Sequence, residues 1–304
     1  MKRIGILMFL SFTCLAGLNA QDHRFDPPWN QPPESSVMFT VPGIDNVPDF
    51  FGDINDPQLV LFFAGNQFMC VDELLGAFKK MYPQYIRVFA ETLPPGILAK
   101  QIEGGSLTVG NMRITLKPDI YTAGKTRIDQ MTEAFSDTMA YAYNKLAIMV
   151  QKGNPKRVAG LKDLARSDIR VAMPNPEFEG IGKRIEAAYV KAGGAALQNA
   201  IMKEKVSRGT TLLTQIHHRQ TPLWILNEKC NAGPVWYSEA YYQQLIGHPI
   251  ALIPIPDKEN ITATYMAGIL KNAPHQQAAK DFISFLKTDA AKAVYRKYGF
   301  TVPE

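Results

Sequence analysis

The first regular pattern in the chain is a block of uninterrupted apolar residues, Leu59 to Phe63. Such a run fits a strand buried on both faces, as in the middle of a parallel sheet. Ala64-Gly65-Asn66 reads as a turn, after which Val71, Leu74, Leu75 and Phe78 recur at helical spacing. A second strand is expected at Tyr85 to Ala90, a short helix over Leu98 to Ile102, and a third strand at Asp119 to Thr122. Strands that alternate with helices predict parallel pairing through helical crossovers.

The rhythm then resumes with new elements. Lys145 to Val150 reads as a strand, Leu161 to Ala165 as a short helix and Arg170 to Met173 as a strand. A helix follows from Glu179 and should end at the glycine pair Gly193-Gly194. Thr221-Pro222 has the form of an N-cap followed by proline at the first helical position. Ala232 to Trp236 predicts a strand leading into a turn, residues 250 to 256 an extended segment, and Thr262 to Leu270 another strand. The last helical region buries a face made by Ala279, Phe282, Ile283, Leu286 and Val294. Roughly 245 residues of this alternation suit two α/β lobes rather than one domain. The chain should cross between them near residues 140 to 145 and 248 to 254.

The ends change the picture. Lys2 and Arg3 precede an apolar run from Ile4 to Leu18 and a small residue at Ala20. This is the pattern of a secretory signal peptide over residues 1–20. The alternative is an uncleaved anchor, but the run is shorter than the ~20 residues a span needs. Cys14 fits a lipidation box poorly because Phe12 is bulky. Residues 21–57 are rich in Pro, Asp and Asn and read as an extended arm. Its later apolar residues, Phe50 and Phe51 among them, could dock on the body. The whole chain carries 33 Lys and Arg against 28 Asp and Glu, net +5. That is too diffuse a balance for a nucleic-acid stripe. Cys70 and Cys230 could pair in an oxidising compartment, and spacing alone leaves this open. No Gly-x-Ser-x-Gly, His-Glu-x-x-His or Cys-x-x-Cys unit is present, so catalysis is not expected. No cofactor is expected either.

Four stretches carry a family likeness. "YNKLAIMVQKGNP" with "GLKDLARSDIRVAMPNPEFEGIGKRIEAAYVKAG", the later "NAGPVWYSEA" and the ending "HQQAAKDFISFL" together resemble the molybdate-binding receptors of ABC importers. The likeness runs over roughly residues 58 to 300. It implies a two-lobed periplasmic binding protein of type II, each lobe a mainly parallel sheet flanked by helices, with a hinge. The corresponding division is 58–142 with 252–304 for lobe I and 143–251 for lobe II. The implied function is capture of a small anion, molybdate-like or otherwise, for delivery to an ABC permease. The protein would be a periplasmic monomer. The alternative is an accessory or sensing subunit of the same fold that docks on another exported protein through its arm.

In open α/β sheets ligands sit beyond the carboxyl ends of strands, where helix N-termini offer free N–H groups. Four turns fit that description. Asn66 and Gln67 follow the first strand, and Asn66 stands where the family has a serine. Its amide can donate to an anion or can simply cap the next helix. Pro95 and Gly96 stand where the family has paired serines; Pro95 has no N–H to give, but the backbone N–H of Gly96 or Ile97 can donate. Gly180 and Ile181 open a helix, with Glu179 beside them as a liability toward an anion. His218 and Arg219 fall on the fourth turn, and Trp236 on the family's ligand-contacting tyrosine. Arg219 offers a planar fork to an oxyanion or pairs with a neighbouring carboxylate. In an extended segment His217 and His218 point opposite ways, which argues against a shared metal ion, and no metal ligand set is expected. Lys125 could add a cationic wall or be solvated.

Overall fold

The computed structural model describes residues 49–304 other than 110, 111, 178 and 216. The signal peptide and the arm up to residue 48 lie outside the described residues. In chain order the described residues open with β1 (Phe50–Gly52), β2 (Leu59–Ala64), α1 (Phe68–Met81), β3 (Val88–Leu93) and α2 (Pro95–Gly104). A hairpin of β4 (Leu107–Val109) and β5 (Met112–Ile114) leads to β6 (Ile120–Gly124) and α3 (Lys125–Gln130). The 17-residue β7 (Phe135–Gln151) follows. Beyond it come β8 (Val171–Met173), α4 (Gly180–Asn199), α5 (Lys205–Ser207), β9 (Thr211–Leu213) and α6 (Gln220–Leu226). Then come β10 (Ala232–Trp236), α7 (Tyr237–Leu245) and β11 (Ile250–Pro254). The chain returns through β12 (Thr262–Leu270) to α8 (Gln276–Leu286) and α9 (Asp289–Lys297).

The strands form one curled sheet in the order β1-β3-β2-β6-β12-β7-β10-β8-β9, with β11 also on β7. β2 pairs in parallel with β3 and β6, and β8 in parallel with β9 and β10. The strands that close the loop of the chain, β7 and β12, run antiparallel to their neighbours. β2 is buried at all six positions, as its apolar run requires.

β7 belongs to both halves. Up to Lys145 it pairs with β12, and from Leu146 onward with β10 and β11. The register slips between Tyr265 and Met266, which face Ala142 and Ala140 and leave Tyr141 as the extra residue. A bulge of this kind bends its strand and re-aims a side chain. Here it turns the Tyr141 hydroxyl onto Gln67 at the end of β2.

Most elements lie where the hydrophobic pattern puts them. The second strand is displaced to Val88–Leu93, since Tyr85 packs flat on Phe78 and joins the core outside the ladder. The segment after Trp236 is a full helix, α7, where a turn was expected: Glu239 accepts the Trp236 N–H and caps it. Thr221 and Pro222 sit in the first turn of α6, with Arg219 at the cap in their place. The Gly193-Gly194 pair breaks the helix as expected, with Gly194 at φ +70°, but a further helical piece resumes to Asn199. Phe50 and Phe51, at the end of the arm, form the edge strand β1 against β3, and Phe51 is buried. Cys70 and Cys230 are buried free thiols. Among the described residues no helix is long and apolar enough to cross a membrane.

Candidate functional site

β2 ends in a single tight turn, Gly65–Gln67, that leads straight into α1. A Cβ on Gly65 would stand 3.1 Å from the Thr92 carbonyl oxygen, so the turn lies hard against the end of β3. Asn66 is buried there, and its Nδ2 donates to the Tyr265 hydroxyl on β12. Gln67 turns inward. Its Nε2 donates to the Tyr141 hydroxyl at 2.6 Å and its Oε1 accepts from the Tyr295 hydroxyl at 3.2 Å. The Gln67 side chain is therefore taken up by the aromatic core around Tyr141 and Tyr295.

Residues 217 to 219 form a turn ahead of α6, closed by Gln220 N–H on the His217 carbonyl at 3.0 Å and Thr221 N–H on the His218 carbonyl at 2.9 Å. The expectation that His217 and His218 diverge fails, because it assumed extended backbone. Their rings lie side by side with centroids 4.1 Å apart. His218 is clamped between two carboxylates, with Nδ1 2.8 Å from Glu179 Oε2 and Nε2 3.0 Å from Glu239 Oε1. Burial alone would lower its pKa. The charges of Glu239 and Glu179 outweigh this and raise it to about 10, so the ring is an imidazolium. His217 is held well below its ordinary value by burial and by the charges of His218 and Arg219. It is a neutral imidazole whose Nδ1 accepts the Arg219 N–H at 3.1 Å, which leaves the proton on Nε2. Glu179, His217 and His218 each bring one polar atom to within 4.8 Å of the others, the grouping closest to a metal ligand set among the described residues.

Arg219 is buried and reaches from the turn before α6 to the residue before β1 and to the start of α1. Its Nη2 lies 3.0 and 3.1 Å from the two carboxylate oxygens of Asp49, and its guanidinium sits 5.4 Å over the Phe68 ring at the start of α1. Asp49 is fixed by β3 as well: its Oδ1 accepts from Thr92 Oγ1 at 3.1 Å and its carbonyl from Thr92 N–H at 2.9 Å. Burial pushes the Asp49 pKa up, against the pull of the guanidinium.

Gly180 and Ile181 open α4. Gly182 follows them because a Cβ there would come within 2.6 Å of the Pro174 carbonyl oxygen. The Gly180 carbonyl accepts from Arg184 Nη1 at 3.0 Å. Arg184 also lies 5.9 Å over the Trp236 ring, and its Nη2 stands 3.4 Å from where a Cβ on Gly124 would be. It thus reaches from α4 to the end of β6. Trp236 is buried edge-on to Tyr265 at 6.2 Å. Asn66, Tyr265, Trp236, Glu239, His218 and Glu179 therefore form one connected seam between the halves. Ile97 lies outside it, 42% exposed, with its N–H bonded to the Pro94 carbonyl at 2.8 Å. Gly96 is half-buried beside it at the start of α2. Lys125 is exposed and pairs with Asp129 at 2.8 Å.

Sequence reasoning did not find Asp49, Tyr265, Arg184 or Glu239. Glu239 carried a signal, since an acidic residue three positions after the last strand residue is a capping spacing. The other three are brought in by tertiary pairing alone. Chemically the seam offers guanidinium, imidazolium, amide and hydroxyl donors against three carboxylates. Its nearby thiol, Cys70, is held well above its ordinary pKa by burial and does not act as a thiolate.

The family model of bacterial extracellular solute-binding proteins matches residues 59–301. A putative ABC transporter substrate-binding lipoprotein of Bacillus subtilis is 25% identical over 207 residues, which cover 68% of this chain and 72% of that protein. The periplasmic molybdate-binding protein of Azotobacter vinelandii superposes with a TM-score of 0.65 at 18% identity, covering 81% of this chain and 100% of that one. A sulfate-binding protein of Mycobacterium tuberculosis gives a TM-score of 0.65 at 15% identity, over 80% of this chain and 85% of its own.

Proposed function

Because the chain belongs to the bacterial extracellular solute-binding protein family, we propose that it captures a small anion between its two lobes and delivers it to the permease of an ABC importer. The family and its structural neighbours are binding proteins rather than enzymes. The observation that carries the anionic solute is Arg219. Its buried guanidinium, presented by one half of the molecule, holds a carboxylate against β3 and α1 of the other. A site that accepts the Asp49 carboxylate has the charge and the fork geometry for a solute carboxylate or oxyanion.

In this reading lobe I is 58–142 with 252–304 and lobe II is 143–251. The lobes close by bending where β7 changes partners, at Lys145 and Leu146, and along the second crossing after β11. Asn66 donates from lobe I, and Arg219, Arg184 and the N–H groups at Gly180 and Ile181 donate from lobe II. Trp236 and Tyr265 form the floor. His218 holds the two sides of lobe II together through its carboxylates and contributes position more than charge. The ligand set is Asn66, Gly180, Ile181, Arg219 and Trp236, positioned by His218, while Gln67, held in the aromatic core, and Gly96 and the exposed Ile97 on α2 lie outside it. The protein works as an exported, periplasmic monomer.

Titration calorimetry of the mature protein against molybdate, tungstate, sulfate and small carboxylates tests this. Binding of at least one anion, lost in Arg219→Ala with the fold retained by circular dichroism, is expected. Undiminished binding in Arg219→Ala would remove the reading.

A further inference from the structure

Glu179 and His217 stand side by side on the seam, each with one polar atom directed away from its hydrogen-bond partner. Among the described residues, Glu179 Oε1 and His217 Nε2 are buried without a hydrogen-bond partner. Their side chains are more than nine-tenths buried, at 8% and 5% exposure. A buried polar atom left unpaired is costly, so such atoms mark a place where a partner belongs. They are complementary. The Glu179 carboxylate can only accept, and its other oxygen is already on His218. His217 Nε2 can only donate, because its Nδ1 accepts the Arg219 N–H. One polar atom of Glu179 lies within 4.8 Å of one of His217, so the two side chains border the same small space.

The surrounding charge points the same way. Asp49, Glu179 and Glu239 face Arg219 and His218 in direct contact, so the two cations already meet three carboxylates, and the further cation Arg184 lies over the Trp236 ring. An anion that only accepts hydrogen bonds, with lone pairs on every face, would turn one of them toward Glu179 Oε1. That contact is repulsive in a buried setting. An anion that carries its own donor meets no such penalty.

From these two orphaned atoms and the three carboxylates around them, we propose that the solute is a small anion bearing a hydrogen-bond donor, a hydroxyl or ammonium group, within a few atoms of its acidic head. The acidic head takes the place of the Asp49 carboxylate on Arg219. The donor group binds Glu179 Oε1 and, where it is a hydroxyl, accepts from His217 Nε2. Glu179 is then the residue that sets specificity, rejecting acceptor-only oxyanions such as sulfate and molybdate. This rests on the anion-receptor reading and sharpens it.

Matched probes test the inference: L-lactate and L-alanine as carboxylates bearing a hydroxyl or an ammonium donor, acetate, sulfate and molybdate as acceptor-only anions, by calorimetry on the mature protein. Wild type should bind L-lactate or L-alanine at least tenfold tighter than acetate, sulfate and molybdate. Glu179→Gln replaces an acceptor with an amide that also donates, and should narrow or reverse that ratio by tenfold or more. His217→Phe should weaken L-lactate and leave L-alanine, which has no hydroxyl, within about threefold. Where Glu179→Gln folds poorly, Glu179→Ala read by thermal shift with each probe serves the same comparison. Wild type that prefers sulfate or molybdate, or a ratio untouched by both Glu179 variants, overturns the inference while leaving the anion receptor standing. No binding by any of the five probes overturns both.

Discussion

Arg219 and Asp49 form a buried ion pair at 3.0 and 3.1 Å, although 170 positions separate them. The carboxylate comes from the last residue of the arm before β1 and the guanidinium from the turn before α6. The chain thus supplies its own anion to the group expected to hold a solute. Asp49→Asn should remove that internal competitor while keeping the hydrogen bond to Thr92. Affinity for an anionic solute should rise about tenfold, or 1.4 kcal/mol, by calorimetry. An unchanged affinity would show that the solute does not displace Asp49.

The same pair sets a stability cycle. Arg219→Ala strands a buried carboxylate and should cost about 3–5 kcal/mol in urea unfolding. Adding Asp49→Asn to it should recover part of that loss, since no charge is then left without its partner. Strictly additive losses would mean the two groups do not act on each other.

Glu91 should make stability fall with rising pH. Burial raises its carboxyl from the ordinary 4.5 to about 7, with Gln101 opposing through a hydrogen bond at 3.1 Å. A folded pKa above the unfolded one means that the folded chain holds the extra proton between these values. Its contribution is greatest below pH 4.5 and is lost as pH rises to about 7. Relative to Glu91→Gln, wild type should lose about 3 kcal/mol across that window in urea unfolding at successive pH values. A flat difference would show that Glu91 stays ionised throughout.

Trp236 should report on the solute and Trp224 should not. Trp236 lies between Arg184 and Tyr265 in the seam, whereas Trp224 packs in a separate cluster with Lys229 4.5 Å above its ring. Trp236→Phe should abolish the change in emission on solute addition, and Trp224→Phe should preserve it.

The thiols should be inert. Burial raises Cys230 to about 11 and Cys70 well above its ordinary value. Ellman's reagent should find neither in the native mature protein and both in guanidinium. Prompt reaction of native protein would place one at the surface.

Much of the architecture was legible because β2, β6, β10 and β12 carry dense apolar runs between turn residues. The long β7 was legible only in its second half, where Leu146 to Val150 is all buried. Its first half, with Ser136, Asp137 and Thr138 facing outward, looks like a polar loop. Arg219 was singled out because it falls, counting back from Ala232-Gly233-Pro234, on the family's fourth turn. Its partner was not, because Asp49 looks like any acid in a Pro-rich tail. The His217–His218 geometry turned on one local choice, turn or extended strand, that neither residue type decides.

The handover at Lys145 and Leu146 has a consequence for how the molecule comes apart. Because a single strand supplies the neighbour of β12 on one side and of β10 and β11 on the other, neither half can complete its sheet from its own contiguous sequence. Cutting the gene at that point would yield two fragments with raw ladder edges, so loss of order in one half should propagate to the other in a single melting step.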